Sequence, residues 1–289
     1  MSLQKRKNPS VCSWVKADKA RKGRQRIGSK LLKPLGVALV GGALALSISL
    51  PAPTAQAEPL GAYQADGSAT LPKTIPSLDA WKASGGTWTL AEGARVVSTQ
   101  PLNARAKALA TELSAYLGSP VPAKIGKRTS EFDVHLLQDS TRKDLGAEGF
   151  ELKIGSSGVQ IIGATDAGVF YGTRSFSQLM RQKQLTLPAG SVVSVPKYKE
   201  RGVTLCACQL NISTEWIERF LDDAADLHIN NIVLEMKLKS DAYPDTQTWS
   251  YYTPEDVKKF VAKAKSLNID VIPEINSPGH MNIWLENAP

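Results

Sequence analysis

Six side chains toward the end of the 289-residue chain have the types that hydrogen-bond a ligand and move protons: Gln209, Glu235, Lys237, Glu274, Asn276 and His280. Each sits in or just after an apolar run that reads as a strand, and barrel enzymes carry their reactive groups at the C-terminal ends of strands. Each also has a plainer reading. Glu274 follows Pro273 and could cap backbone amides of the Ser277-Pro278-Gly279 turn, and Lys237 could face solvent or pair with Glu235. His280 lies in a Pro-Gly-His loop at the expected reactive face. His135 sits within an apolar strand and His228 near a helix end, where a histidine ordinarily serves as a cap or a core residue. The adjacent acids Asp222-Asp223 and Glu255-Asp256 fall on helices, where neighbouring side chains diverge, so they read as solvated faces.

A glycine-rich phosphate loop, a zinc signature and a nucleophile elbow are all missing from the sequence, so neither a cofactor nor a metal is expected. Local pattern alone supports a barrel enzyme that works through polar side chains.

The elements that must position these groups begin at Arg201, where the order becomes strand, helix, strand. Val203-Thr-Leu-Cys-Ala-Cys208 reads as a continuous strand buried on both faces. Ser213 caps a helix that starts at Thr214 and buries Trp216, Ile217, Phe220, Leu221 and Ala225. The second strand is Asn231–Leu238. Thr253-Pro254-Glu255-Asp256 opens a second helix, combining a cap, a proline at the first helical position and acids against the dipole. Its buried stripe is Val257, Phe260, Val261, Ala264 and Leu267, and Ile269–Ile275 is the third strand. Three such units imply the start of a (β/α)8 barrel, although a doubly wound sheet begins the same way.

Ahead of them, residues 72–196 read as a small α+β domain. Trp88-Thr-Leu90, Arg95–Ser98 and Asp133–Leu137 are strands, with a helix from Asn103 to Leu117 stopped by Gly118. Gly149–Ile154 and Val159–Ile162 flank Gly155-Ser-Ser-Gly158 as a hairpin, and Ala167–Gln182 returns to helical spacing.

Charge is concentrated at the N-terminus. Of 35 Lys and Arg, eleven lie in residues 1–33 with the single acid Asp18, which leaves 24 basic against 26 acidic residues elsewhere. The basic excess therefore belongs to a leader and indicates no nucleic-acid partner. An apolar run, Gly36–Leu50, and then Ala55-Gln-Ala57 complete a signal peptide over residues 1–57, with cleavage expected after Ala57 and export from the cell. The run is short for a bilayer span and holds glycines and serines, so stable membrane insertion is not expected. Residues 58–71 form a linker. Cys206 and Cys208, two apart on a strand, are poorly placed to bridge, and two buried thiols are the expectation.

The stretch Glu148–Ile154, Gly158–Gly163, Gly168-Val-Phe-Tyr-Gly172 and Gln178-Leu179 resembles the accessory domain that precedes the barrels of glycoside hydrolase family 20. Arg201-Gly202, Tyr251-Tyr-Thr-Pro-Glu255 and Val271-Ile-Pro-Glu-Ile-Asn-Ser-Pro-Gly-His280 resemble that family more closely still. The resemblance covers most of the chain after the leader. It implies an α/β protein in which an accessory α+β domain, 72–196, is followed by the first three βα units of a (β/α)8 barrel, 197–289, with the barrel incomplete at Pro289.

It also implies cleavage of β-linked N-acetylhexosamine with retention, the sugar's own acetamido oxygen being the nucleophile. The family's catalytic Asp-Glu pair follows the fourth strand, so no catalytic residue is expected among the 289, and the chain alone is expected to be inactive and poorly folded after about Tyr198. What the resemblance leaves is part of a sugar pocket: Gln209, Glu235 and His280. Two departures, Cys206-Ala-Cys-Gln209 where ordinary members read Asp-x-x-Arg, and Leu234-Glu-Met-Lys-Leu238 in place of a His-containing strand, resemble the lacto-N-biosidase branch. Ile275-Asn276, where an acid is common, points the same way. An oligosaccharide is then the expected partner, and a non-catalytic carbohydrate-binding protein is the alternative.

Overall fold

The computed structural model describes residues 71–182, 185–207, 212–238 and 252–279. The leader expected at 1–57, the linker up to residue 70, Cys208, Gln209 and His280 lie outside them. Among the described residues no helix is long and apolar enough to cross a membrane.

The first part is a seven-stranded sheet with two helices. Its strands are β1 (Lys82–Thr89), β2 (Val96–Ser98), β3 (Ala123–Ile125), β4 (Val134–Gln138), β5 (Phe150–Gly155), β6 (Gly158–Gly163) and β7 (Thr186–Ser194), in the order β1-β7-β5-β6-β4-β2-β3. The expected hairpin is β5 with β6, paired antiparallel from Phe150 opposite Gly163 to Gly155 opposite Gly158. β7 was not expected, because Pro188 and Gly190 interrupt its apolar alternation. Its neighbour β1 shifts register between Ala83 and Thr87, where Gly85 and Gly86 take positive φ, and Pro188 lies opposite Thr87 at that irregularity. A proline in a sheet is tolerated at such bulges, where no ladder N–H is needed.

Helices α1 (Asn103–Leu117) and α2 (Asp166–Arg181) are the two expected ones. Gly118 ends α1 in the left-handed conformation with its N–H on the Ser114 carbonyl, 2.9 Å. Thr165 caps α2 by accepting from the Gly168 N–H. Almost all of α2 is buried because it lies close on the sheet. A Cβ on Gly172 would overlap Ile161 Cγ2 and press on the Phe150 ring, so only glycine permits that approach.

The second part holds β8 (Gly202–Ala207), α3 (Thr214–Asp226), β9 (Asn231–Met236), α4 (Pro254–Ser266) and β10 (Asp270–Glu274). The strands form a parallel sheet, β10-β9-β8, as a βαβαβ chain requires. Both helix starts are as expected. Ser213 accepts from Trp216 N–H, and Thr253 with Asp256 forms a full capping box with Pro254 at the first helical position.

The two helix ends repeat one another. After α3, His228 is left-handed (φ 59°) and Ile229 N–H bonds the Ala224 carbonyl. After α4, Asn268 is left-handed (φ 56°) and Ile269 N–H bonds the Ala264 carbonyl, both at 2.9 Å. These are Schellman-type closures with a non-glycine residue in the strained position.

Both of those residues touch α2. Tyr171 Oη reaches the Asn268 carbonyl at 3.4 Å, Arg105 Nη2 donates to Asn268 Oδ1 at 3.2 Å, and Ser175 Oγ meets His228 Nε2 at 3.3 Å. Gln178 donates to the Asp226 carbonyl at 2.7 Å, and Arg174 and Arg181 both pair with the Asp226 carboxylate. The accessory domain is thus tied to two successive repeats through their helix C-termini.

Candidate functional site

Along a strand alternate side chains face opposite ways, and the sheet β8-β9-β10 is divided accordingly. Val203, Leu205 and Ala207, Ile232 and Leu234, and Val271 belong to the core. Of the remaining residues, Thr204, Cys206, Asp270 and Ile272 are exposed, and Val233, Glu235 and Glu274 are half-buried. Within these 289 residues one face of β8 is therefore uncovered, where the apolar run predicts burial on both.

Register aligns that open face into rows. Cys206 pairs with Glu235, and Glu235 with Glu274, at the C-terminal end of the sheet. Thr204, Val233 and Ile272 form the row below. Asn276, just beyond β10, donates through Nδ2 to Glu235 Oε1 at 2.6 Å. The amide fixes one carboxylate oxygen, and a carboxylate with up to four acceptor positions can still accept from a ligand hydroxyl.

The loops that frame this end are held from behind. Tyr252, from the motif at 251–255, donates its N–H to the Lys237 carbonyl and its hydroxyl to the Ile212 carbonyl, both at 2.8 Å, and packs edge-on to Phe260. Burial, the largest influence on it, raises the Tyr252 hydroxyl above its ordinary pKa, so it stays protonated and keeps donating. One residue, through its backbone N–H and its hydroxyl, thus joins the end of β9 to the segment before α3. The sequence flagged the Tyr-Tyr-Thr-Pro-Glu motif but gave its second tyrosine no role.

At the opposite end of the sheet, Arg201 Nη2 pairs with Glu148 Oε2 at 2.7 Å, its Nε donates to the His228 carbonyl at 2.7 Å, and its guanidinium lies 5.5 Å over the Tyr171 ring. Asn230 Nδ2 donates to Glu148 Oε1 at 3.1 Å, and its Oδ1 accepts from Arg201 N–H at 2.8 Å. One accessory-domain carboxylate therefore fixes the starts of both β8 and β9. A Cβ on Gly202 would lie only 3.3 Å from Asn231 Cβ, which accounts for the glycine after Arg201.

Of the expected sugar-pocket residues, Glu235 is on the open face with Asn276, while Gln209 and His280 lie outside the described residues. Glu274 lies in the same row as Glu235. Lys237 is not solvent-facing: its side chain is buried. Cys206 corrects the reading of two buried thiols, since it is exposed and disulfide-bonded, both other cysteines lying outside the described residues. No group of three or more metal-binding side chains occurs among the described residues.

An α+β domain clamped to the opening βαβαβ of a parallel barrel, with carboxylates and an amide at the strand C-termini, is the layout of a two-domain barrel glycosidase. The chain belongs to glycosyl hydrolase family 20: residues 71–193 match that family's domain 2 and residues 198–289 its catalytic domain. It is 60% identical over 223 residues to a lacto-N-biosidase of Bifidobacterium bifidum, a match that covers 76% of this chain and 20% of that protein. It is 29% identical over 221 residues to a β-hexosaminidase of Porphyromonas gingivalis, 67% of this chain and 28% of that one. The chain thus spans between about a fifth and two fifths of the length of the curated relatives it matches. The structure of the family 20 β-N-acetylhexosaminidase of Streptomyces coelicolor A3(2) superposes with a TM-score of 0.66 over 73% of this chain and 48% of the other, at 23% identity, which supports the shared fold.

Proposed function

We propose that this chain contributes the accessory domain and the first part of the catalytic barrel to an exported glycosidase. It acts on glycans with β-linked N-acetylglucosamine, and releases the disaccharide lacto-N-biose in preference to the single sugar. The observation that carries the reading is the Glu235–Asn276 pair on the open, C-terminal row of the sheet, in a chain 60% identical to a lacto-N-biosidase. Hydroxyl-rich ligands are bound by such fixed acceptor and amide groups. Glu235 and Asn276 contribute to the sugar pocket, and the family resemblance adds Gln209 and His280 to it.

Cleavage proceeds with retention, the acetamido oxygen attacking the anomeric carbon while a glutamate protonates the leaving oxygen. The family's Asp-Glu pair follows the fourth strand, and the described barrel strands are β8, β9 and β10, so the expected activity of the 289 residues alone on a β-N-acetylglucosaminide is nil, a general acid by itself contributing about 10²–10⁴ in rate. The test joins residues 58–289 to the C-terminal barrel part of the Bifidobacterium relative and compares it with the chain as it stands, on nitrophenyl lacto-N-bioside. Turnover by the completed barrel and none by the chain is expected. Turnover by the chain alone, or a completed barrel that is folded and inert, contradicts the proposal.

A further inference from the structure

The joint between α2 and the end of α3 is built around a buried imidazole. His228 is 5% exposed, lies edge-on to Phe150 with ring centroids 6.1 Å apart, and sits 4.9 Å from the Tyr171 ring. Its Nε2 meets Ser175 Oγ, and its carbonyl accepts from Arg201 Nε. Charges face it from each packed element. α2 brings Arg174, paired with Glu112 of α1 and with Asp226. Arg201 comes from the start of β8, paired with Glu148 ahead of β5. Both nearby carboxylate sets are therefore committed to arginines, and none bonds the imidazole.

A proton on this ring would place a third cation beside Arg174 and Arg201 in a site closed to water. A helix C-terminus ordinarily favours a charged histidine. Here burial first, and then the two guanidiniums, hold His228 down to about 4 against that attraction. The next repeat is the contrast, since Asn268 occupies the same left-handed position after α4 and cannot titrate. We infer that the α2–α3 joint is an acid-sensitive latch, in which protonation of His228 frees the first barrel helix from the accessory domain.

The sign follows from linkage. In the unfolded or undocked helix the ring takes up its proton near its ordinary pKa of about 6.5, so docking weakens as pH falls through that value and is restored above it. Between pH 7.5 and 5.5, where carboxylates stay charged, the docking equilibrium should drop about tenfold.

Hydrogen exchange by mass spectrometry on the chain, corrected for intrinsic rates, reads this directly. Protection in α3 should fall about tenfold between pH 7.5 and 5.5, while α1 in the same molecule changes less than about threefold. His228→Asn, which keeps the left-handed turn and a partner for Ser175, should hold α3 protection nearly constant. No fall in α3, an equal fall in α1, or a fall that persists in His228→Asn overturns the latch. Should that variant fail to fold, NMR titration of His228 in the unaltered chain decides the matter. A ring neutral at pH 5.5 supports the latch, and one that titrates at 6.5 or above overturns it.

Discussion

Glu148 shows how much of the site depends on a residue that never approaches it. Its two carboxylate oxygens hold Arg201 and Asn230, and through them the starts of the two strands whose far ends present Cys206 and Glu235. Hydrogen bonds to charged groups contribute more than neutral ones, and a guanidinium left buried without its partner is costly. Arg201 keeps its bond to the His228 carbonyl in Glu148→Ala and is partly solvated, so the loss is expected to be moderate, about 2 kcal/mol by urea denaturation. A change below about 0.5 kcal/mol would show that the joint does not rely on this carboxylate.

The same residue marks the limit of reading by sequence. Glu148 and Arg201 were visible as parts of family-like motifs, but their 53-residue separation gave no reason to pair them. Glu235 and Asn276 were both legible as strand-end polar groups, because a strand's C-terminus in a barrel is a place of known use. Their mutual hydrogen bond was not, since it depends on the register of β9 with β10. Cys206 was misread for a related reason. Apolar composition implies burial on both faces but does not report which neighbours cover them, and the cysteine that bridges Cys206 lies outside the described residues.

At the scale of elements, helix ends were the most legible features, because caps are local chemistry. Ser213 and Thr253 each stand where orphan N–H groups need an acceptor, and Pro254 stands where a missing N–H costs nothing. Helix sides were less so. Trp216 and Val261 were placed in buried stripes but are 40% and 44% exposed, since periodicity reports which side leans on a sheet, not how far neighbouring elements cover it. The short β3 offered no pattern, and β7 was hidden by its proline and glycine.

α2 supplies the element-scale prediction. Alanine in a helix interior is ordinarily better than glycine by about 1 kcal/mol. Gly172→Ala should nevertheless destabilise the chain, by about 1–3 kcal/mol in thermal or urea unfolding, because its methyl group must displace Ile161 and the Phe150 ring in a filled core. A stabilised variant would mean that α2 does not lie as close to the sheet as described.

At the scale of the molecule, the described barrel segments are tied to the accessory domain through side chains of its two helices. Arg105, Tyr171, Ser175, Gln178 and Arg181 reach across to the ends of α3 and α4. The accessory domain thus holds the βα units at the end away from the strand C-termini, and in barrel enzymes the held end serves stability and the strand C-termini carry the reactive groups. His228 makes that grip responsive to acid.

The central claim is a pocket that admits a disaccharide. By the family resemblance, Gln209 replaces an arginine whose fixed donors hold the terminal sugar's hydroxyls and close the pocket there. Under the proposed function, the shorter, neutral amide of Gln209 admits a galactose on the 3-oxygen, with no guanidinium left unpaired once that hydroxyl is substituted. The direct measurement is the ratio of kcat/KM for nitrophenyl lacto-N-bioside over nitrophenyl N-acetylglucosaminide, in the completed barrel and in its Gln209→Arg variant. The account predicts a clear preference for the disaccharide that falls by about tenfold or more in the variant, a difference of about 1.4 kcal/mol in transition-state binding. A completed barrel that prefers the monosaccharide, or a preference that Gln209→Arg leaves unchanged, would contradict it.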